Sequence, residues 1–289
     1  MRHLHFIINK LSPIANKVEK EVLAHFKAED VVVIVKMSKY SGHAVELTMA
    51  SISEGAHTIV ACGGDGTVNE VAQCLVGTAV PLGILPIGSG NGLARNLCIP
   101  TNLSSALEVL KTFENKKIDV GTVNDRYFFC NISVAFSAQV IHCYDNIHQR
   151  GLIAYSRAFF KAVSSFNYKS FELQEDRHIV KSTPFILLIS NTDQLGYNRT
   201  LTPDASLLDG KLDMIRIERS NVFLLAFFLL FALFSKFPPF LKVHRKQLDD
   251  ITLLCPDELL KIQIDGEKLE WKVTALKIGL LPKSLNVIY

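Results

Sequence analysis

Apolar runs alternate with helical stripes through the first 120 residues, and short strand-like runs crowd the remainder. Residues 4–8 predict an opening strand, and Ala15, Val18, Val22, Leu23 and Phe26 put an apolar stripe on the helix after it. The run 31–35 is almost wholly β-branched, the pattern of a strand covered on both faces. A helix over 42–53 follows, then a strand at 58–60. Val68, Val71, Ala72 and Leu75 next recur at i, i+3, i+4, i+7, one face of a helix, and 82–85 predicts a fourth strand. Strands alternating with helices predict a parallel sheet of βαβ units, in which ligands sit beyond the carboxyl ends of the strands.

From about Asn124 the texture changes. Segments 127–134, 185–189, 211–217, 251–254, 260–264, 269–273, 277–281 and 285–288 predict short strands separated by turns, the pattern of an antiparallel β-sandwich. Residues 137–166, broken near Gly151, predict helix. The expected organisation is an α/β domain with a parallel sheet over 1–122 and a β-sandwich domain over 123–289. One stretch, 222–234, is apolar on every face but spans only thirteen residues, where a membrane-crossing helix needs about twenty. It predicts a buried helix of the second domain, in preference to a helix dipping into one leaflet.

Composition supports two domains: 289 residues, 48% hydrophobic and 20% charged, can bury a substantial interior. A net charge of +3 gives no case for nucleic acid and does not oppose an anionic membrane surface. Six cysteines are scattered without a Cys-x-x-Cys pair, and nine histidines without a metal-site spacing, which predicts reduced thiols in a cytoplasmic protein. Residues 1–6 run directly into a strand, so no signal peptide is expected.

The chemistry concentrates in two glycine turns. Gly63-Gly64-Asp65-Gly66 joins the third strand to its helix. Three glycines permit positive φ and let backbone N–H groups approach an anion at the positive end of the helix, which makes a phosphate cradle. Asp65 within it calls for a magnesium ion or a hydroxyl to deprotonate. The same residues also read as a plain turn, with Asp65 as cap and Thr67-x-x-Glu70 as a capping box. The fourth strand ends in a second such turn, Gly88-Ser89-Gly90-Asn91-Gly92. Two glycine loops at one edge of one sheet make chance less plausible.

The run Gly63-Gly64-Asp65-Gly66-Thr67-Val68-Asn69-Glu70-Val71 closely resembles the nucleotide-binding signature of the diacylglycerol kinase and sphingosine kinase catalytic family, and the second loop resembles that family's Gly-Ser/Thr-Gly-Asn. The resemblance implies an NAD kinase/diacylglycerol kinase-like α/β domain, ATP bound by Gly63, Gly64, Asp65, Gly66, Thr67, Asn69, Glu70, Gly88, Ser89, Gly90 and Asn91, and looser matches at Asn9 and Ser38. It implies Mg²⁺ as cofactor, with a structural magnesium near Ser206, Asp209 and Lys211, the last through its backbone. Ile264-Asp265-Gly266-Glu267 is similar to the family's Asp-Gly-Glu motif, so Asp65 and Glu267 are the implied catalytic acids. The implied activity is phosphoryl transfer from ATP to a hydroxyl of diacylglycerol or a related lipid, sphingoid types included, at a membrane surface. Peripheral membrane contact would accompany it.

Three positions depart from the family pattern. Lys10 stands for the proline after Asn9, Gly92 for a frequent Asp, and Ala135-Phe136-Ser137-Ala138 for Gly-Phe-Asp-Ala, so Ser137 replaces a carboxylate. A catalytically weak or inactive nucleotide-binding module is the alternative these departures raise. A soluble NAD kinase-like enzyme finds less support, since Asn191-Thr192-Asp193-Gln194 lacks the glycine of that family's motif.

Overall fold

The computed structural model describes residues 1–147, 152–175, 178–193, 201–219, 242–255 and 259–289. The chain forms two compact units, Met1–Val120 with Pro282–Tyr289, and Gly121–Leu281. Among the described residues no helix is long and apolar enough to cross a membrane. The apolar run 222–234 lies outside them.

In the first unit, strands β1 (Arg2–Asn9), β2 (Val31–Ser38), β3 (Thr58–Gly63) and β4 (Leu82–Pro86) alternate with helices α1 (Ala15–His25), α2 (His43–Ser53) and α3 (Asp65–Leu75). The short α4 (Gly92–Asn96), then α5 (Leu103–Lys111) and the start of β5 (Asn115–Val123), follow. The strands pair in parallel in the order β2-β1-β3-β4. Helices cover both faces, which is why Leu4, Phe6, Ile7, Ile8, Ile59 and Val60 are fully buried. Val68, Val71, Ala72 and Leu75 bury the expected stripe of α3. On α1 the buried positions are Ala15, Val18 and Val22, while Leu23 is 49% exposed, because it falls a step off that spacing. The run 31–35 is also less covered than its composition predicts. As β2 it is an edge strand, with a neighbour on one side only, and every residue but Ser38 keeps partial exposure.

The second unit comprises β6 (Arg126–Phe128), β7 (Asn131–Ala135), α6 (Phe136–Asp145), α7 (Leu152–Ser165), β8 (Phe171–Glu175), β9 (His178–Ser182), β10 (Pro184–Ser190) and β11 (Leu212–Glu218). It continues through β12 (Val243–Leu248), β13 (Asp250–Leu254), β14 (Leu259–Ile264), β15 (Glu267–Lys272) and β16 (Ala275–Ile288). One sheet runs β12-β11-β10-β7-β14-β15 in antiparallel order, and in the other β13 pairs with the first half of β16, β8 with β13 and β9 with β8. Ile132, Val134, Leu187, Met214, Leu253, Ile262 and Leu276 fill the space between them. Phe136, Phe159 and Phe185 form a second cluster where α6 and α7 pack on β10.

Strands β8, β9 and β12 are absent from the expected set; each is only five or six residues long and more than half polar. Residues 285–288, expected as a separate strand of the second domain, continue β16 instead. Val287 pairs in parallel with Leu82, Lys283 N–H donates to Asp119 Oδ1 at 2.7 Å, and Asn286 Nδ2 donates to Thr78 O at 3.0 Å. The chain end therefore closes the first sheet.

Among the polar residues buried in the first unit, His5 has no hydrogen bond to either ring nitrogen. His5 on β1 is 0% exposed, with Nδ1 3.7 Å from Glu54 Oε2, which also pairs with Lys36 Nζ at 2.8 Å. Burial first, then the Lys36 ammonium, hold the His5 pKa below its usual 6.5, against a smaller opposing pull from Glu54. A depressed histidine pKa contributes stability that is complete above the unfolded value and is lost as pH falls through the folded one. The thermal midpoint should therefore drop as pH is lowered from 7 to 5, and His5→Leu should flatten that slope. An equal slope in the variant would refute the role of His5.

Candidate functional site

The order β2-β1-β3-β4 sends the chain to one side after β1 and to the other after β3, so the carboxyl ends of β1 and β3 flank a topological switch point. Asn9 ends β1 and Gly63 ends β3. Asn9 Nδ2 donates to Thr67 Oγ1 at 3.4 Å across that point, and its Oδ1 accepts from Leu11 N–H at 2.9 Å. Lys10 N–H donates to Ser38 O at 3.0 Å. An Asx turn thus shapes the loop that lacks its proline. Ser38, at the end of β2, is buried at 5% exposure, so its side chain packs rather than projects.

The glycines matter here through proximity. Gly64 caps α3 at φ −89°, ψ −169°, and among the described residues the glycines at positive φ lie elsewhere, so the expected left-handed turn is not how the first loop is built. A Cβ on Gly63 would come 2.3 Å from Thr67 Cβ, one on Gly88 2.4 Å from Gly64 Cα, and one on Gly90 2.5 Å from Asp65 Oδ2. The two loops lie against each other with room for hydrogen alone.

Asp65 joins them. Its Oδ1 accepts from Gly92 N–H at 2.6 Å and its Oδ2 from Asn91 N–H at 3.0 Å, so the first residue of α3 caps α4. Burial raises the Asp65 carboxyl pKa, while those two N–H bonds, its own backbone N–H and the Arg95 charge pull the other way. Asn91, at φ 53°, accepts from Gly88 N–H at 3.0 Å and donates to Gly88 O at 2.8 Å, which closes the second loop on itself. Arg95 Nε donates to Gly90 O at 2.9 Å.

The capping box read from Thr67 and Glu70 does not form. Thr67 is engaged with Asn9, and Glu70 caps a different helix: its Oε1 accepts from Gly42 N–H at 2.8 Å and its Oε2 from Ala44 N–H at 3.0 Å, at the start of α2. Asn69 is half-buried beside it, and Ser89 is exposed at the loop tip. What the rim offers an anion is the backbone: the N–H groups of Gly66 and Thr67 in the first turn of α3 have no backbone acceptor within the helix and carry its positive dipole end.

In the sandwich unit, Asp265 is the organiser. At φ 49° it turns the β14–β15 hairpin and accepts from Phe129 N–H at 2.8 Å, Cys130 N–H at 2.7 Å and Asn131 N–H at 2.9 Å. Gly266 N–H donates to Gln263 Oε1 at 2.7 Å, and Gln263 Nε2 donates to Asn131 Oδ1. Glu267 follows, exposed, at the start of β15. Ser137 Oγ donates to Val134 O at 3.1 Å. Ala135, at the family's glycine position, holds φ 61°, ψ −136°, a conformation that costs a residue with a Cβ on the order of 1–3 kcal/mol.

The segment read as a cation site is an Asx turn: Asp209 Oδ1 accepts from Lys211 N–H at 3.0 Å, Ser206 Oγ from Leu208 N–H at 3.2 Å, and Lys211 Nζ turns away to Asp249 at 2.6 Å. Asp213 joins it from β11, with Oδ2 buried and lacking a hydrogen-bond partner; burial first raises its carboxyl pKa, and Asp209 and Asp204 raise it further. Among the described residues no group of three or more His, Cys, Asp or Glu converges as a metal cluster. Carboxylate and main-chain oxygens with an orphaned buried oxygen still suit a hard cation.

Motif reading missed the structural roles of Glu70 and Asp265 and the orphaned Oδ2 of Asp213. An Asp-Gly pair signals a turn, but nothing in the sequence points to N–H donors 134 to 136 residues away.

Known proteins bear on these features. Residues 3–123 match the family model of the diacylglycerol kinase catalytic domain, and 130–289 that of the YegS C-terminal NAD kinase beta sandwich-like domain. The chain is 26% identical over 278 residues to a protein of Enterobacter sp. (strain 638) named "Probable lipid kinase YegS-like", covering 94% of this chain and 91% of that one. It is 26% identical over 233 residues to the diacylglycerol kinase of Staphylococcus saprophyticus, covering 78% and 75%. A Bacillus anthracis str. Sterne structure described as a diacylglycerol kinase superimposes with a TM-score of 0.75 at 17% identity, and another from that strain with 0.81 at 18%; each covers 100% of this chain and 96% of the other.

Two predictions follow from the contacts. Gly88→Ala should weaken nucleotide binding by at least about tenfold, roughly 1.4 kcal/mol, with little change in melting temperature, because its Cβ forces the loops apart without touching the core. Calorimetric titration with ATP would show it, and unchanged affinity would disprove the close-approach account. Asp265→Ala should destabilise the fold by about 3 kcal/mol or more, since three N–H groups lose a charged acceptor, whereas Glu267→Ala should stay within about 0.5 kcal/mol. Denaturant unfolding separates the two.

Proposed function

The chain belongs to the diacylglycerol kinase/YegS family of two-domain lipid kinases, and on that footing we propose that it transfers the γ-phosphoryl group of ATP to a hydroxyl of diacylglycerol or a related lipid. The observation that carries this reading is the Asp65 clamp, which aligns two glycine loops at the switch point of the sheet. Phosphoryl transfer asks mainly for positioning and neutralisation of charge. The α3 N-terminus supplies main-chain N–H groups and a positive dipole end to the phosphates. Asn9, Asn91 and Glu70 act indirectly, by holding the loops that present those groups.

A carboxylate has about four lone-pair positions, and the main-chain N–H groups of Asn91, Gly92 and Asp65 itself occupy three on Asp65, which leaves one open. Asp65 therefore suits Mg²⁺ on the nucleotide, and the Asp209 segment suits a second, structural ion. Bound there, Mg²⁺ offsets charge on the phosphates. We assign the proton of the lipid hydroxyl to Glu267, whose carboxylate is exposed, because in this reading backbone N–H groups and Mg²⁺ together take up the Asp65 carboxylate. Access to the lipid at a cytoplasmic membrane surface is favoured by α7, where Ile153 and Phe160 stand 73% and 62% exposed on the side that carries Arg157 and Lys161.

A second reading, a nucleotide-binding module without turnover, draws on Ser137, which offers a hydroxyl bonded to Val134 O where relatives of the family pattern have a carboxylate. Incubation with γ-labelled ATP and a mixed lipid extract distinguishes the two. The kinase reading expects labelled lipid, reduced at least about a hundredfold in Asp65→Asn and in Glu267→Gln with the fold intact. Full activity in Glu267→Gln would remove that base assignment. Bound ATP without labelled lipid would favour the module, and restoration by Ser137→Asp would then identify the missing acid.

A further inference from the structure

The sandwich unit holds a cavity of about 140 Å³ that neither phosphoryl transfer nor the cation segment uses. Phe166, Phe171 and Leu260 form its apolar wall, and Gln139, Lys169 and Lys261 stand on its polar side. The polar side is built in one direction. Lys261 Nζ donates to Gln139 Oε1 at 3.0 Å, Gln139 Nε2 donates to Ser165 Oγ at 3.0 Å, and Ser165 Oγ donates to Lys161 O at 3.0 Å. Each side chain is therefore fixed by the next. Lys169 Nζ is tied to the rim by its bond to Leu259 O at 3.0 Å.

An ammonium carries three N–H donors, and the recorded bond of Lys261 goes to a neutral amide. Among the described residues that line the cavity, none is acidic. A neutral ligand would leave donor capacity on Lys261 unmatched, and an inorganic anion would leave the phenylalanine wall wet. The complementary ligand has an anionic head and an apolar tail. An engineered cavity of roughly 150 Å³ in another protein admits benzene, so the space here accepts a headgroup and several methylenes, with any longer tail leaving through the mouth.

We propose that this cavity binds the head of an anionic amphiphile, a fatty acid carboxylate or a lipid phosphate monoester, through Lys261. The site does not depend on the kinase reading, and its test uses no nucleotide.

Isothermal titration of the full chain with octanoate, octyl phosphate, 1-octanol and inorganic phosphate measures it. At least one of the two anionic amphiphiles should bind about tenfold or more tighter than 1-octanol, the effect of one charge-assisted hydrogen bond. If that ligand is octyl phosphate, it should also exceed inorganic phosphate. Preference for octanoate identifies a fatty acid head, and preference for octyl phosphate a lipid phosphate. Lys261→Met should bring the anion down to the affinity of the alcohol, and Lys261→Arg should keep most of the difference. Gln139→Glu, nearly isosteric and so a safeguard against misfolding, should weaken anion binding by pairing with Lys261 internally. Equal binding of alcohol and anions, inorganic phosphate as tight as octyl phosphate, no binding by either amphiphile, or anion affinity indifferent to both Lys261→Met and Gln139→Glu would each overturn the proposal.

Discussion

Two main-chain N–H groups from one loop end on the carboxylate of another, and the rim of the α/β unit depends on that contact. Asp65 is the first residue of α3, yet the helix it caps is α4. Because the bond spans two loops, each glycine loop fixes the other. The glycines then serve closeness: at 2.4 Å from an imagined Cβ of Gly88, the Gly64 Cα leaves no room for any side chain. Beside the carboxylate, one backbone bond, from Ile87 N–H to Gly63 O at 3.0 Å, joins the bases of the two loops.

The same device recurs through the molecule. Glu70 takes two N–H groups at the start of α2, Asp265 takes three from 129–131, and Asp209 takes one inside its own turn. In each case a short acidic side chain satisfies backbone donors that a turn or helix start leaves without partners. Most of the motif acids are thus builders of loops, and the chemistry falls to what those loops present. Glu267 differs, since its neighbour Asp265 carries the architecture and leaves it exposed on a fixed hairpin.

Ala135 shows where this chain bears strain. Its positive φ lies at the junction of β7 and α6, immediately before Phe136, whose ring is packed between Phe159 and Phe185. That packing holds the backbone where glycine would sit without cost. Ser137, one residue on, bonds to its own strand's carbonyl. The junction is therefore sound as structure, although its side chains depart from the family pattern.

The sequence by itself determined the parallel α/β unit, the antiparallel sandwich and the two glycine loops, because periodicity, β-branching and glycine spacing act over a few residues. The buried stripe of α3 was legible for that reason, and so was the turn at Asp265. Tertiary structure alone decided that Glu70 caps α2 instead of its own helix, that β2 is an edge, that Asp265 reaches back to Phe129, and that the last residues of β16 return beside β4. It also decided the cavity with Lys261, which is assembled from three segments. Each of these is a pairing between parts distant along the chain, and a local pattern shows which groups need a partner without showing where that partner comes from.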